Sequence, residues 1–93
     1  MTIHWCGTGL SAIPGLCRLI SAGHDVTVWN RSVDKARDAV GDLTDKIHAF
    51  DPGALDSALQ PSDVVVSMLP GDWHVPLAEM CLGKRAHFGR DIG

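Results

Sequence analysis

Few cysteines, no long apolar run and no excess of basic charge narrow the classes open to this 93-residue chain. No apolar run approaches the ~18 residues of a membrane helix. The longest candidate, Val64 to Val66, is interrupted by Ser67. The opening Met1-Thr2-Ile3-His4 lacks the basic segment and long apolar stretch of a secretion signal. No membrane association is therefore expected. The net charge is −3, which argues against a broad nucleic-acid surface. The three cysteines, Cys6, Cys17 and Cys81, are odd in number and form no C-x-x-C. A disulfide framework and a zinc ribbon are both poorly supported, and a reducing cytoplasm is the expected compartment. The histidines at 4, 24, 48, 74 and 87 make no H-x-x-x-H or similar pair, so no metal site is expected. There is no internal repeat and no low-complexity tract.

What is present fits a folded domain. Hydrophobic residues are 45% and charged residues 20%, too apolar for a disordered chain. A chain of this size buries roughly 60% of its unfolded surface. That is one modest core, without room for a cofactor domain plus a substrate domain. Short apolar runs alternate with helical patterns, which predicts βαβ units and a parallel sheet.

Ile3, Trp5 and Cys6 read as a first strand, ended by Gly7-Thr8-Gly9. A helix is predicted from about Leu10 to Ala22, with Ile13, Leu16, Cys17 and Ile20 on one face. Pro14 falls in its first turn, where no N–H partner is lost, and Gly23 is its stop. Val26 to Trp29 is the second strand. Ser32 caps a second helix reaching about Val40, with Gly41 beyond it. Ile47 to Phe50 is a weaker third strand. Asp51-Pro52 opens a third helix that ends near Leu59. Val64 to Leu69 is a fourth strand, apolar on both faces as a central parallel strand should be. Asp72 is expected to cap a last helix in which Leu77, Met80 and Cys81 share a face and Gly83 is the stop. Ala86 to Phe88 hints at a fifth strand. The fold expected is α/β: a Rossmann-type parallel sheet with helices on both faces, cut to about four strands plus a stub.

Gly7, Gly9 and Ala12 stand at the spacing G-x-G-x-x-G/A. Gly7 allows the tight strand-to-helix turn. Gly9 has no Cβ, so a pyrophosphate can approach the backbone, and Ala12 lets the helix pack close to the strand. The helix N-terminus offers unpaired N–H groups to phosphates. Gly7, Gly9, Leu10 and Ser11 are thus the pyrophosphate candidates. A glycine turn between any strand and helix has the same spacing; its place at the head of a βαβ unit favours the dinucleotide reading. Gly15, mid-helix, marks either another close approach or a bend beside Pro14.

An NAD site usually has Asp or Glu about 20 residues beyond the glycines. Here that place holds Asn30-Arg31-Ser32, with no carboxylate. A carboxylate would repel the 2′-phosphate of NADP, whereas Arg31 can grip it with a planar fork. Asn30 and Ser32 add neutral hydrogen-bonding groups. The expected cofactor is NADP rather than NAD, against a plainer reading of Arg31 as a solvated side chain.

With these motifs in hand, residues 3–88 resemble the N-terminal cofactor domain of the saccharopine dehydrogenase (saccharopine reductase) family. The resemblance rests on Gly7-Thr8-Gly9 with Ala12-Ile13-Pro14-Gly15, on Val28-Trp29-Asn30-Arg31, and on Asp63-Val64-Val65-Val66-Ser67-Met68-Leu69-Pro70. His74 and Lys84-Arg85-Ala86-His87 add to it. It implies a nicotinamide-dependent oxidoreductase acting on a C–N bond of an amino-acid-derived secondary amine or imine. At the carboxyl end of the fourth strand, Met68, Leu69 and Pro70 are expected to wall the cofactor cleft, with Leu69, Pro70 and His74 lining the way to the nicotinamide. The 3-hydroxyisobutyrate and 6-phosphogluconate dehydrogenases are the rival resemblance, sharing Trp-Asn-Arg and Met-Leu-Pro. They usually carry Met-Gly where this chain has Ser11-Ala12, and Pro14 suits the saccharopine group better. A non-catalytic nucleotide-binding module is a third reading.

The chain departs from both families after Phe88. Residues 89–93 show neither strand nor helix pattern and are expected to be an irregular tail on a domain spanning 1–88. A shortened or frame-shifted chain is the expectation, with the substrate domain missing and catalysis by this chain alone improbable. Catalytic residues are not assigned. His74 is either a ligand contact at the carboxyl end of the fourth strand or a solvated residue of a first helical turn. Cys6 and Cys17 read as small core residues. Asp34, Asp38, Asp42 and Asp45 read as a solvated acidic face. With the fifth strand a stub, Val64 to Met68 is expected to leave an open apolar edge through which two copies associate; the alternative is that residues 86–92 fold back over that edge.

Overall fold

Five strands and four α-helices alternate along the chain in the computed structural model, which describes residues 1–7, 13–69 and 71–90. The strands are β1 (Ile3–Cys6), β2 (Val26–Asn30), β3 (Ile47–Ala49), β4 (Val64–Ser67) and β5 (His87–Arg90). The helices are α1 (Ile13–Ser21), α2 (Val33–Val40), α3 (Pro52–Ala58) and α4 (His74–Lys84). The sheet order is β3-β2-β1-β4-β5, and every pairing is parallel. This is the expected α/β architecture, with its topological switch point between β1 and β4.

Alternating side chains divide the core. Ile3, Trp5, Val26, Val28 and Ile47 face α1 and α2, where Leu16, Ala36 and Val40 close over them. Cys6, Trp29 and Val65 face the other layer, against Leu55 and Leu59 from α3 and its exit and Leu77 and Cys81 of α4. Leu16, Leu55 and Leu77 are fully buried, each contributing about 1.5–3 kcal/mol relative to exposure.

Local chemistry sets several boundaries. Pro14 is the second residue of α1; the expected start of that helix at Leu10 lies outside the described residues. Gly23 ends it with φ +91. Its N–H donates to Ile20 O (3.1 Å) and that of His24 to Leu19 O (3.3 Å), the paired bonds of a Schellman stop. Ser32 Oγ accepts the Lys35 N–H at 3.2 Å and caps α2. Asp51 caps α3, with Pro52 as its first residue.

Three expectations need correction. Asp72 does not cap α4; it lies in a 3₁₀ turn, Gly71–Trp73, and Trp73 precedes the helix without a side-chain cap. Gly83 does not stop α4. The helix runs one residue further, and Arg85 takes the left-handed conformation at φ 59, ψ 33. There the Ala86 N–H reaches Cys81 O at 2.9 Å, and Ala86 packs onto the core as the chain turns into β5. The Arg85 and Ala86 N–H bonds to Leu82 O and Cys81 O, together with that packing, offset the ~1–2 kcal/mol that a non-glycine residue gives up in this region.

The third correction is at the end of the chain. Gly89 and Arg90 are not an irregular tail. They belong to β5, which pairs with β4 along its whole length, from Val64↔His87 to Ser67↔Arg90. Backbone pairing requires no apolar side chain, so polarity and glycine left the second half of this strand unmarked in the sequence, and the alternative in which the chain folds back over the edge is the one found. β4 therefore has no open edge, and the association expected through it loses its premise. Within the described sheet, β3 and β5 are the edges.

Candidate functional site

The carboxyl ends of β1, β2 and β4 meet at Gly7. Its N–H donates to Trp29 O on β2 at 2.7 Å, while Cys6 O on β1 accepts the Met68 N–H at 2.7 Å. Gly7 has φ +93, which favours glycine. A Cβ here would lie 3.2 Å from the Met68 carbonyl carbon and 3.4 Å from Leu69 Cδ2. The first glycine of the motif thus serves two local needs: the turn itself and the close passage of the chain leaving β4. Gly9, Leu10, Ser11 and Ala12, the rest of the motif, lie outside the described residues, as does Pro70.

Asn30 ends β2 one residue beyond the Cys6↔Trp29 register pair, so it stands beside Gly7 across the strands. Its Nδ2 donates to Ser32 O at 2.9 Å. Ser32 Oγ is engaged by the Lys35 N–H, but its own O–H remains a donor. Arg31 is exposed between them. The structure therefore brings Gly7, Asn30, Arg31, Ser32 and Leu69 to one end of the sheet. It commits Asn30 and Ser32 partly to the β2–α2 turn.

His74 is set differently. Its ring meets Phe88 of β5 edge-on, with centroids 6.2 Å apart. It lines a cavity of about 330 Å³ with Val75, Ala78 and Phe88, and none of the β1 or β2 candidates lines that cavity. Its Nε2 is buried without a hydrogen-bond partner among the described residues.

A second polar cluster, which the sequence reading missed, lies inside the sheet. His4 Nε2 is 3.0 Å from Asp63 Oδ2, and the Trp29 indole N–H donates to His4 Nδ1 at 3.2 Å. With Nδ1 accepting, Nε2 must carry the proton given to Asp63. Asp63 also accepts the N–H groups of Thr2 at 2.9 Å and Gln60 at 3.0 Å. Burial alone would raise its carboxyl; the bonds from Thr2, His4 and Gln60 together hold it below the usual carboxylate range. Both ring nitrogens of His4 are engaged, so this pair holds structure and leaves no free base. The available signal was a histidine and an aspartate at positions where a buried strand and its approach would otherwise be apolar.

A cavity of about 740 Å³ runs along the α3-facing side of β1, β2 and β3, lined among others by His4, Thr27, Trp29, Lys46, His48 and Ala54. It is the larger recess, but Lys46 pairs with Asp25 and His4 with Asp63. Those two pairs hold the sheet rather than converging on a ligand.

Cys6 and Cys81 are buried free thiols. Burial pushes the Cys6 thiol up to about 12, with Cys81 nearby adding to the effect, and burial raises Cys81 too. Both are inert core residues at neutral pH. Cys17 donates to Ala39 O at 3.4 Å. Asp34, Asp38, Asp42 and Asp45 are exposed. No group of three or more metal-ligating side chains occurs among the described residues, and no helix among them is long and apolar enough to cross a membrane.

No protein-family model matches the chain, and no curated protein matches it.

Proposed function

We propose that the chain binds NADP(H) at the carboxyl end of its sheet, as the cofactor-binding portion of an oxidoreductase resembling the saccharopine dehydrogenases. The observation that carries this reading is the juxtaposition at the carboxyl ends of β1 and β2, beside the β1/β4 switch point. Gly7 closes β1 in the left-handed turn, and Asn30-Arg31-Ser32, without a carboxylate, ends the neighbouring β2. In open parallel sheets, ligands lie in the crevice outside this point. Arg31 would take the 2′-phosphate, with the Ser32 O–H and the Asn30 amide beside it. Backbone N–H groups after Gly7 would take the pyrophosphate, and Met68 and Leu69 would wall the nicotinamide side. When bound, the cofactor supplies the hydride; the protein supplies orientation. A C–N bond of an amino-acid-derived imine is the substrate chemistry that the family resemblance suggests. Calorimetric titration with NADPH and NADH tests the reading. Tighter binding of NADPH is expected; equal affinities would remove the NADP assignment, and no binding of either would overturn the dinucleotide site.

A further inference from the structure

Buried polar side chains among the described residues are His4, Asp63 and Ser67. The first two hold each other; Ser67, the last residue of β4, is fully buried and does something else. Its Oγ accepts the Leu69 N–H at 3.3 Å. That amide lies beyond the ladder, because the last N–H of this stretch to reach β1 is that of Met68, on Cys6 O. Without the hydroxyl, the Leu69 N–H loses its protein partner at a half-buried position. The same short bend sets Met68 and Leu69 so close to Gly7 that a Cβ there would meet both.

We propose that Ser67 is a positioning residue: its hydroxyl pins the chain leaving β4 so that Met68 and Leu69 form the nicotinamide-side wall of the crevice. The proposal rests on the dinucleotide reading and deepens it. The adenosine half of the cofactor would lie at the end of β2, away from this wall. A change at Ser67 should therefore be felt by the whole dinucleotide and not by its adenosine fragment.

The test uses the 93-residue chain with Ser67→Ala and Ser67→Cys, the latter filling the site with a weak acceptor. Affinities are measured for NADPH and for adenosine 2′,5′-bisphosphate, along with hydrogen exchange at the Leu69 amide. Both variants should bind NADPH roughly fivefold more weakly, the equivalent of one neutral hydrogen bond. Both should bind the bisphosphate as before and exchange the Leu69 amide faster. Equal losses for the two ligands, no loss, unchanged exchange, or a loss with alanine alone would each overturn the pin. If the unmodified chain binds neither ligand, the dinucleotide reading fails and the wall with it. If it binds both and the variants change nothing, that reading stands and the role of Ser67 falls.

Discussion

The His4 Nε2–H donates to the buried Asp63 carboxylate at 3.0 Å, with side chains only 3% and 5% exposed. They tie the middle of β1 to the approach of β4, and Trp29 extends the link to β2. Three neighbouring strands are thereby joined by side chains as well as by their ladders.

Removing one partner leaves the other buried and unpaired. Asp63→Ala removes the acceptor of three hydrogen bonds and should destabilise the fold by about 3 kcal/mol, read from urea unfolding at pH 7. The pH dependence has a definite sign. Asp63 has a lower pKa folded than unfolded, so its contribution is present above the unfolded value of about 3.9 and is lost as pH falls through the folded value. Asp25 is also held low, by hydrogen bonds from Lys46 and Thr2, but it is exposed and should matter little. Unfolding midpoints compared at pH 6 and pH 3 should fall steeply for the unmodified chain and for Asp25→Asn, and much less for Asp63→Asn. Equal slopes in all three would show that Asp63 is not the acid-sensitive group.

Arg31 follows β2 in Asn30-Arg31-Ser32, a stretch without a carboxylate. Arg31→Ala should remove most of the preference for NADPH over NADH, on the order of 1–3 kcal/mol for a charge-assisted contact. Its exposure predicts an unchanged melting temperature, so a thermal melt run beside the titration separates binding from folding.

Gly7→Ala meets two obstacles, the positive φ and the Met68 backbone at 3.2 Å. A loss of about 1–3 kcal/mol is expected from the backbone alone, with more if Met68 cannot retreat. A melting temperature equal to that of the unmodified chain would show that the turn tolerates a side chain.

Gly15→Ala should go the other way. Among the described residues, a Cβ there would touch only Trp5 Cη2, at an ordinary 3.9 Å. The position is exposed and helical, so alanine should stabilise the chain by about 0.5–1 kcal/mol. A destabilised variant would mean that the glycine serves a bend next to Pro14.

The fold was legible where local chemistry is loud. Ser32, Asp51-Pro52 and Gly23 marked their helix ends because caps and stops act within a few residues. Val64 to Val66 announced a central strand by burying both faces. β5 was only half legible, since edge pairing runs through the backbone and leaves His87-Phe88-Gly89-Arg90 free of pattern. Arg85 was invisible as a helix stop because tertiary packing of Ala86 outweighs the usual need for glycine. At the site, Gly7 and Asn30-Arg31-Ser32 could be placed from spacing alone. The His4–Asp63 pair could not, because its partners stand 59 positions apart and no local rule links them.

The placement of β1 has a consequence for how the chain acquires its shape. Its two neighbours are β2, close in sequence, and β4, whose Val64 aligns with Ile3. During synthesis β1 can pair early on one side only. Its other side must wait until Ser67 has left the ribosome, and closing so long a loop costs entropy before any contact offsets it. Until then the β4-side edge of β1 is unpaired, with the His4 side chain still lacking Asp63. Until β4 docks, that edge of β1 is the place where this small sheet is open to pairing with the wrong strand.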